Sequence, residues 1–238
     1  MRTLVNTAAD GTAIKLADPG AVTVEWQLKY TQLSDSELAA LQQFFVAAEG
    51  TLNNFTFVDP TANLLAWSND ISNAVWDAAP FITLTGAIAD PIGGTNAWHV
   101  ANTGAAVQDL SQTLTAPGSY LYCFSVYAKT SSPATFALLI GGTRHQQNLG
   151  PAWQRFACSG TAGPTDTSVT FGIELGPGGI VDVYGLQVEP QESPSQYKAS
   201  TTGGCHENAR LSDDTFSFTT TDVNHHSATV NILYASYL

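Results

Sequence analysis

Five histidines, three cysteines and twenty acidic residues are the groups from which a reactive centre would have to be built. Their spacing builds none. His99, His145, His206, His225 and His226 never fall into HExxH, and Cys123, Cys158 and Cys205 never fall into CxxC, so neither a zinc-protease helix nor a thiolate metal site is written in the chain. GxSxG and phosphate-loop patterns are missing too. PIGGTNAW, IGGTRH and GPGGI are glycine turns with no following helix whose N-terminus could take a phosphate. The carboxylates are scattered, and nothing selects two of them as an acid–base pair. The expectation is a protein that is not an enzyme. His225-His226, the one histidine pair, is expected in a solvated turn. Cys123 and Cys158 sit in apolar alternating runs and are expected as small core residues.

Aromatic residues offer a second kind of chemistry, stacking on the C–H faces of sugars. Trp67, Trp76, Trp98 and Trp153 are the candidates, and strand phase sorts further residues around them. In CFSVYAK, Phe124, Val126 and Ala128 should face a core, leaving Ser125, Tyr127 and Lys129 on the other side. In WQRFACS, Phe156 and Cys158 go in, leaving Trp153, Arg155 and Ala157. VTFGIELG sends Phe171 and Ile173 in and Glu174 out. YGLQVEP sends Leu186 and Val188 in and Gln187 out. Tyr127, Trp153, Arg155, Glu174 and Gln187 are therefore a polar-aromatic set of the kind a glycan groove uses. A solvated sheet face, or an interface with a neighbouring subunit, would give the same pattern.

The elements that must hold these residues are mostly strands. Charged residues make up only 12% of the 238, with 20 Gly and 11 Pro, a composition suited to short strands joined by tight turns. The net charge of −12, with only eight Lys and Arg, leaves no basic patch and argues against nucleic acid as a partner. No apolar run approaches the ~20 residues of a membrane helix, so no membrane insertion is expected. Met1-Arg2-Thr3 leads into a polar stretch without the apolar core of a signal peptide, which points to synthesis in the cytoplasm.

Turns are expected at Asp10-Gly11 and Asp18-Pro19-Gly20. AVTVEWQLKY alternates cleanly, with Val22, Val24, Trp26, Leu28 and Tyr30 on one face. LSDSELAALQQFFVAAEG predicts a helix: Ser34 and Glu37 form a capping box, Leu38, Leu41, Phe45 and Ala48 make an apolar stripe, and Gly50 is the left-handed stop. NFTFVDP is a strand closing at Asp59-Pro60. Sixty residues are marginal for a core. TFSFTTTD and SATVNILYASYL, a hairpin across DVNHHS, can supply the rest, with Phe216, Phe218, Val230, Ile232 and Tyr234 inward. The middle then interrupts this domain. SYLYCFSVYAKT, ATFALLIGG, AWQRFACSG, SVTFGIELG and IVDVYGLQVEP are evenly spaced strands, the rhythm of a sandwich or jelly roll. The expected fold class is mainly β: a discontinuous β-rich domain with one helix, over 1–62 and 200–238, with an inserted jelly-roll β-sandwich over 63–199.

Four blocks carry a resemblance. NLLAWSNDISNAVW at 63–76, SVYAK at 125–129, WQRFACSGTA at 153–162 and VYGLQVEPQESPSQYKAST at 183–201 resemble a carbohydrate-binding-module-like jelly roll of phage tail proteins. The flank VEWQLKYTQLSDSELAALQQFFVAAEGTLNNFTFVDP is similar to the strand, helix and Phe-x-Phe-x-Asp-Pro pattern of tail proteins near the baseplate. What the resemblance implies is a distal-tail-type protein of the virion tail, made in the bacterial host. Its belt domain would form a ring of copies, expected to be a hexamer, that joins the tail tube protein to tail-tip hub proteins. Its jelly roll would face outward. The resemblance also makes Trp76 a core anchor. Sugar-binding jelly rolls often hold a structural calcium, for which Asp70 and Asp182 could serve; no other cofactor is implied. An adhesin or lectin gripping host-surface glycan is the alternative, and an enzyme on a sugar is a third class.

Overall fold

The computed structural model describes residues 2–7, 13–18, 22–132 and 134–236. Its contacts divide the chain into two units: 1–57 with 206–238, and 58–205. The turns expected at Asp10-Gly11 and after Asp18 lie outside the described residues. The first unit begins with β1 (Arg2–Thr7) and β2 (Ala13–Asp18), an antiparallel pair with Leu4 opposite Leu16. β3 (Val22–Leu33) follows, and its alternation is physical: Val24, Trp26, Leu28 and Tyr30 are half-buried, while Thr23, Glu25, Gln27 and Lys29 are exposed.

Helix α1 (Asp35–Ala47) starts where the capping box places it. Ser34 Oγ accepts from the Glu37 amide at 3.3 Å, and Glu37 Oε2 accepts from the Ser34 amide at 2.8 Å. The backbone N–H and then the hydroxyl of Ser34 hold the Glu37 carboxyl below its ordinary pKa. The helix buries Leu38 and half-buries Leu41 and Phe45. It stops one residue earlier than Gly50 suggests, because Glu49 (φ 51°) already turns left-handed before Gly50 (φ 62°). Gly50 is still required: a Cβ there would lie 3.0 Å from Asp214 Oδ1, the atom that accepts from the Thr51 amide and hydroxyl. Strand β4 (Phe55–Val58) ends this half.

The unit between is a two-layer β-sandwich. Its strands are β5 (Asp77–Ala78), β6 (Ile82–Ile88), β7 (Ala97–Asn102), β8 (Gln108–Leu114), β9 (Tyr122–Lys129), β10 (Phe136–Ile140), β11 (Thr143–Gln147), β12 (Gln154–Gly160), β13 (Val169–Leu175) and β14 (Ile180–Glu189). One sheet runs β11-β10-β13-β8-β5 and the other β12-β9-β14-β7-β6, with antiparallel pairing throughout. This interleaved order is that of a jelly roll. Phe124, Val126, Phe136, Leu138, Ile140, Phe171, Ile173, Val183, Leu186 and Val188 fill the space between the sheets. Trp76 joins them. Cys158 packs against this core, and burial pushes its thiol up to about 12. Cys123 is buried on the opposite side of β9 from Phe124, so it is interior without belonging to that core.

A bulge between Tyr184 and Gln187 sets the phase of β14. Gly185 (φ 67°) supplies it, with the Tyr197 ring 3.2 Å from where a Cβ would stand. Without the extra residue, Val183 and Leu186 could not both point inward. The unit also closes on itself: the Asp59 amide donates to the Gly204 carbonyl (2.8 Å) and the Leu64 amide to Val188 (2.9 Å). The first of these bonds joins the two ends of this unit, 58–205.

The first unit resumes with β15 (Cys205–Leu211), β16 (Phe218–Asp222) and β17 (His225–Ser236). The order is β16-β17-β15-β4, with β3 along β17. Val230 stands opposite Leu28 and Ile232 opposite Trp26. Phe57, Ala209, Leu211, Val230 and Ile232 make the core, flanked by half-buried Trp26, Leu28, Tyr30, Phe45 and Phe216. Phe218, expected inward, is exposed. The histidine pair needs a correction as well. The turn itself is Val223-Asn224, with Asn224 at φ 58°, so both histidines fall on β17. There His226 is buried, its Nε2 2.7 Å from Asp35 Oδ1 and its Nδ1 3.0 Å from Thr220 Oγ1. It pins the start of α1 to the sheet, as Asn224 Oδ1 does by accepting from the Asp35 amide at 2.8 Å.

Candidate functional site

The outer face of the β12-β9-β14-β7-β6 sheet gathers most of the polar-aromatic set. Arg155 stands opposite Tyr127, and Tyr127 opposite Tyr184. The Arg155 guanidinium lies 5.4 Å from the centre of the Tyr127 ring. Gln187 stands opposite Ser125, and Arg155 donates to the Ser125 hydroxyl at 2.9 Å. Trp153 sits just before β12 with the Lys129 ammonium 4.8 Å over its ring.

Half of this face is not open. Residues 190–201, which form no regular element, cross it as a strap. Gln187 is fully buried beneath them: its Oε1 accepts from the Lys198 amide at 2.7 Å and its Nε2 donates to Glu189 Oε2 at 2.7 Å. Buried Glu189 accepts from the Ser195 amide and hydroxyl as well. Arg155 donates to the Ser195 carbonyl, and Tyr197 packs edge-on against Tyr184 at 5.3 Å. Gln187 and Arg155, expected to face a ligand, instead hold down the chain's own strap. Their outward phase was right, but a fold-back segment occupies the place of solvent.

Glu174 departs from the expected set for another reason. Strand β13 belongs to the opposite sheet, so its outward face is the far side of the sandwich, where Glu174 pairs with Arg144 of β11. Alternation gives in or out but not which sheet. The carboxylates expected at a calcium are also in use separately. Asp70 Oδ1 accepts from the Ser72 amide and hydroxyl. Asp182 lies 2.8 Å from His99 Nδ1 and 3.6 Å from Lys129 Nζ. Among the described residues, no group of three or more His, Cys, Asp or Glu side chains could hold a metal ion. What remains accessible on this face is Tyr127, Lys129, Trp153, Asp182 and His99, partly exposed side chains that suit weak polar contacts.

Two of the tryptophans are structural. Trp76 Nε1 donates to the Trp67 carbonyl (3.2 Å) and Trp98 Nε1 to the Asn69 carbonyl (2.9 Å). Asn63, which opens the first block, is buried with its amide fully used: Nδ2 donates to Leu186 and Lys198 carbonyls, and Oδ1 accepts from Leu65 and Val188 amides. Asp90, the residue before PIGGTNAW, plays a similar part. Burial opposes its charge, but donors from Asn96, Gly94 and Ile92 outweigh that and leave its pKa lowered.

No family model matches the sequence, and no curated protein matches it. Similar solved structures include a xylan-binding domain of carbohydrate-binding module family 22 (17% identity, 58% of this chain and 100% of that one, TM-score 0.45). Another is the family 22 xylan-binding domain from Paenibacillus barcinonensis Xyn10C (14%, 58% and 97%, TM-score 0.45). A third is the enzymatically active domain of tailspike protein 4 of bacteriophage CBA120 (13%, 55% and 22%, TM-score 0.42). The chain thus spans about a fifth of that tailspike chain.

Proposed function

We propose that this chain is a structural subunit of a phage tail tip, of distal-tail or baseplate type. In this reading the split domain forms a ring through contacts with copies of itself and joins the tube protein to hub proteins. The jelly roll is carried on its periphery, and the chain has no catalytic role. The observation that carries the reading is the exposed apolar surface of the split domain. Phe44, Val46 and Leu52, on and just after α1, are 38%, 74% and 70% exposed. Val46 and Leu52 are exposed apolar side chains at one end of the helix, and contacts in a closed ring would cover them on every copy.

Light scattering after size exclusion, with negative-stain images, tests this directly. Rings are the expected result. A monomer at micromolar concentration, with or without the tube protein, would overturn the reading. Val46→Asp should return the protein to monomers while leaving its far-UV spectrum intact.

A further inference from the structure

Trp67 is the most exposed of the five tryptophans. It is 39% exposed and held at φ 49°, a left-handed conformation that strains a non-glycine residue. The backbone role at this position is simple: the Trp67 carbonyl accepts from Trp76 Nε1 and from the Asp70 amide. Glycine would do that without strain. A large indole there, partly open to solvent, is available for other work.

Its surroundings describe that work. Trp67, Asn69, Asp70, Ala199, Ser200 and Thr201 line a cavity of about 260 Å³. Drug-sized sites begin near ~300 Å³, so this one fits a single sugar ring. Its two walls, 67–70 and 199–201, are tied together. The Ser68 amide donates to the Ser200 carbonyl and the Ser200 amide to Ser68 Oγ, each at 2.9 Å. Tyr197 then bridges Ser68 Oγ and Asn69 Oδ1. A wall braced in this way loses little entropy on binding. Three polar groups stay unspent among the described residues: Asn69 Nδ2 as a donor, Asp70 Oδ2 as an acceptor and Thr201 Oγ1 as either.

We infer that this cavity binds one neutral pyranose unit of a glycan, with the Trp67 indole stacked on its C–H face and Asn69, Asp70 and Thr201 bonded to its hydroxyls. A flat apolar face beside mixed donors and acceptors is what a sugar presents in reverse. Asp70 and the net charge of −12 select against uronic and sialic acids. The site is separate from the sheet face that carries Tyr127 and Trp153, and it does not depend on ring formation.

Saturation-transfer NMR on the full chain tests it, with millimolar methyl glycosides of glucose, galactose, mannose and N-acetylglucosamine, and with glucuronate. Transfer to the axial C–H protons of at least one neutral glycoside, and none to glucuronate, is expected. Trp67→Gly relieves the strained φ but removes the partly covered indole; with an unchanged far-UV spectrum confirming the fold, affinity should fall about tenfold or more. Asp70→Asn retains the oxygen that Ser72 needs and should weaken the neutral sugar while admitting glucuronate. Silence from every neutral glycoside, or binding unchanged in Trp67→Gly, would overturn the inference.

Discussion

Phe124, Phe136 and Phe171 of the inserted sandwich expose nothing to solvent, whereas Trp26, Leu28, Tyr30, Leu41 and Phe45 of the split domain stay half-buried. The same kinds of side chain reach different depths because one unit places two five-stranded sheets face to face and the other covers a sheet with one helix. A sandwich saturates its own apolar faces. A sheet with a single short helix cannot, and the remainder must be covered by something else or left in water. What the contrast teaches is that the guest, the inserted sandwich, closes its core from within, while the host, the split domain, keeps much of its core partly within reach of water.

Substitutions can break or sharpen that contrast. Phe171→Ala empties the centre of the sandwich and should cost ~3–5 kcal/mol in urea unfolding of the guest. Glu189→Ala strands the donors of Gln187 and Ser195 under the strap and should cost ~2–4 kcal/mol. Faster tryptic cleavage after Lys198 would report the loosened strap. In the host the effects should be smaller. Ser34→Ala removes one half of the capping box and should cost ~1 kcal/mol, read as lower helix signal at 222 nm before global unfolding. Acid discriminates least. Asp90 in the guest and Asp214 in the host both have lowered pKa values, so each stabilises its unit above the ordinary carboxylate pKa and loses that contribution as pH falls below about 4. Asp90→Asn should flatten the acid limb of the guest's unfolding curve. An unchanged limb would remove this carboxyl from the account.

The sequence made some of this plain. Capping residues announced α1, and alternation announced β3, β9, β12, β13 and, on each side of its bulge, β14, because backbone geometry enforces both patterns locally. Three things were hidden. CHENARL carries only Ala209 and Leu211 inward, too little apolar contrast to read as β15. His226 looked like a turn residue because its partners, Asp35 and Thr220, come from separate elements. Gln187 and Arg155 looked like ligand contacts because the strap that covers them has no periodicity of its own. Glu174 shows the general limit: alternation names a side of a strand, and only topology says which sheet that strand joins. Trp67 is legible only as one of four candidate tryptophans, since its left-handed φ is invisible until the turn is built.

The hydrogen bond from Asp59 to Gly204 has a consequence for how such a chain can change over time. Departure and return of the polypeptide are clasped at one spot, so the intervening module behaves like a cartridge. Any autonomous fold with adjacent termini could be exchanged there without altering the strand register of its carrier. The module is then free to diversify while the strand register of its carrier is held constant.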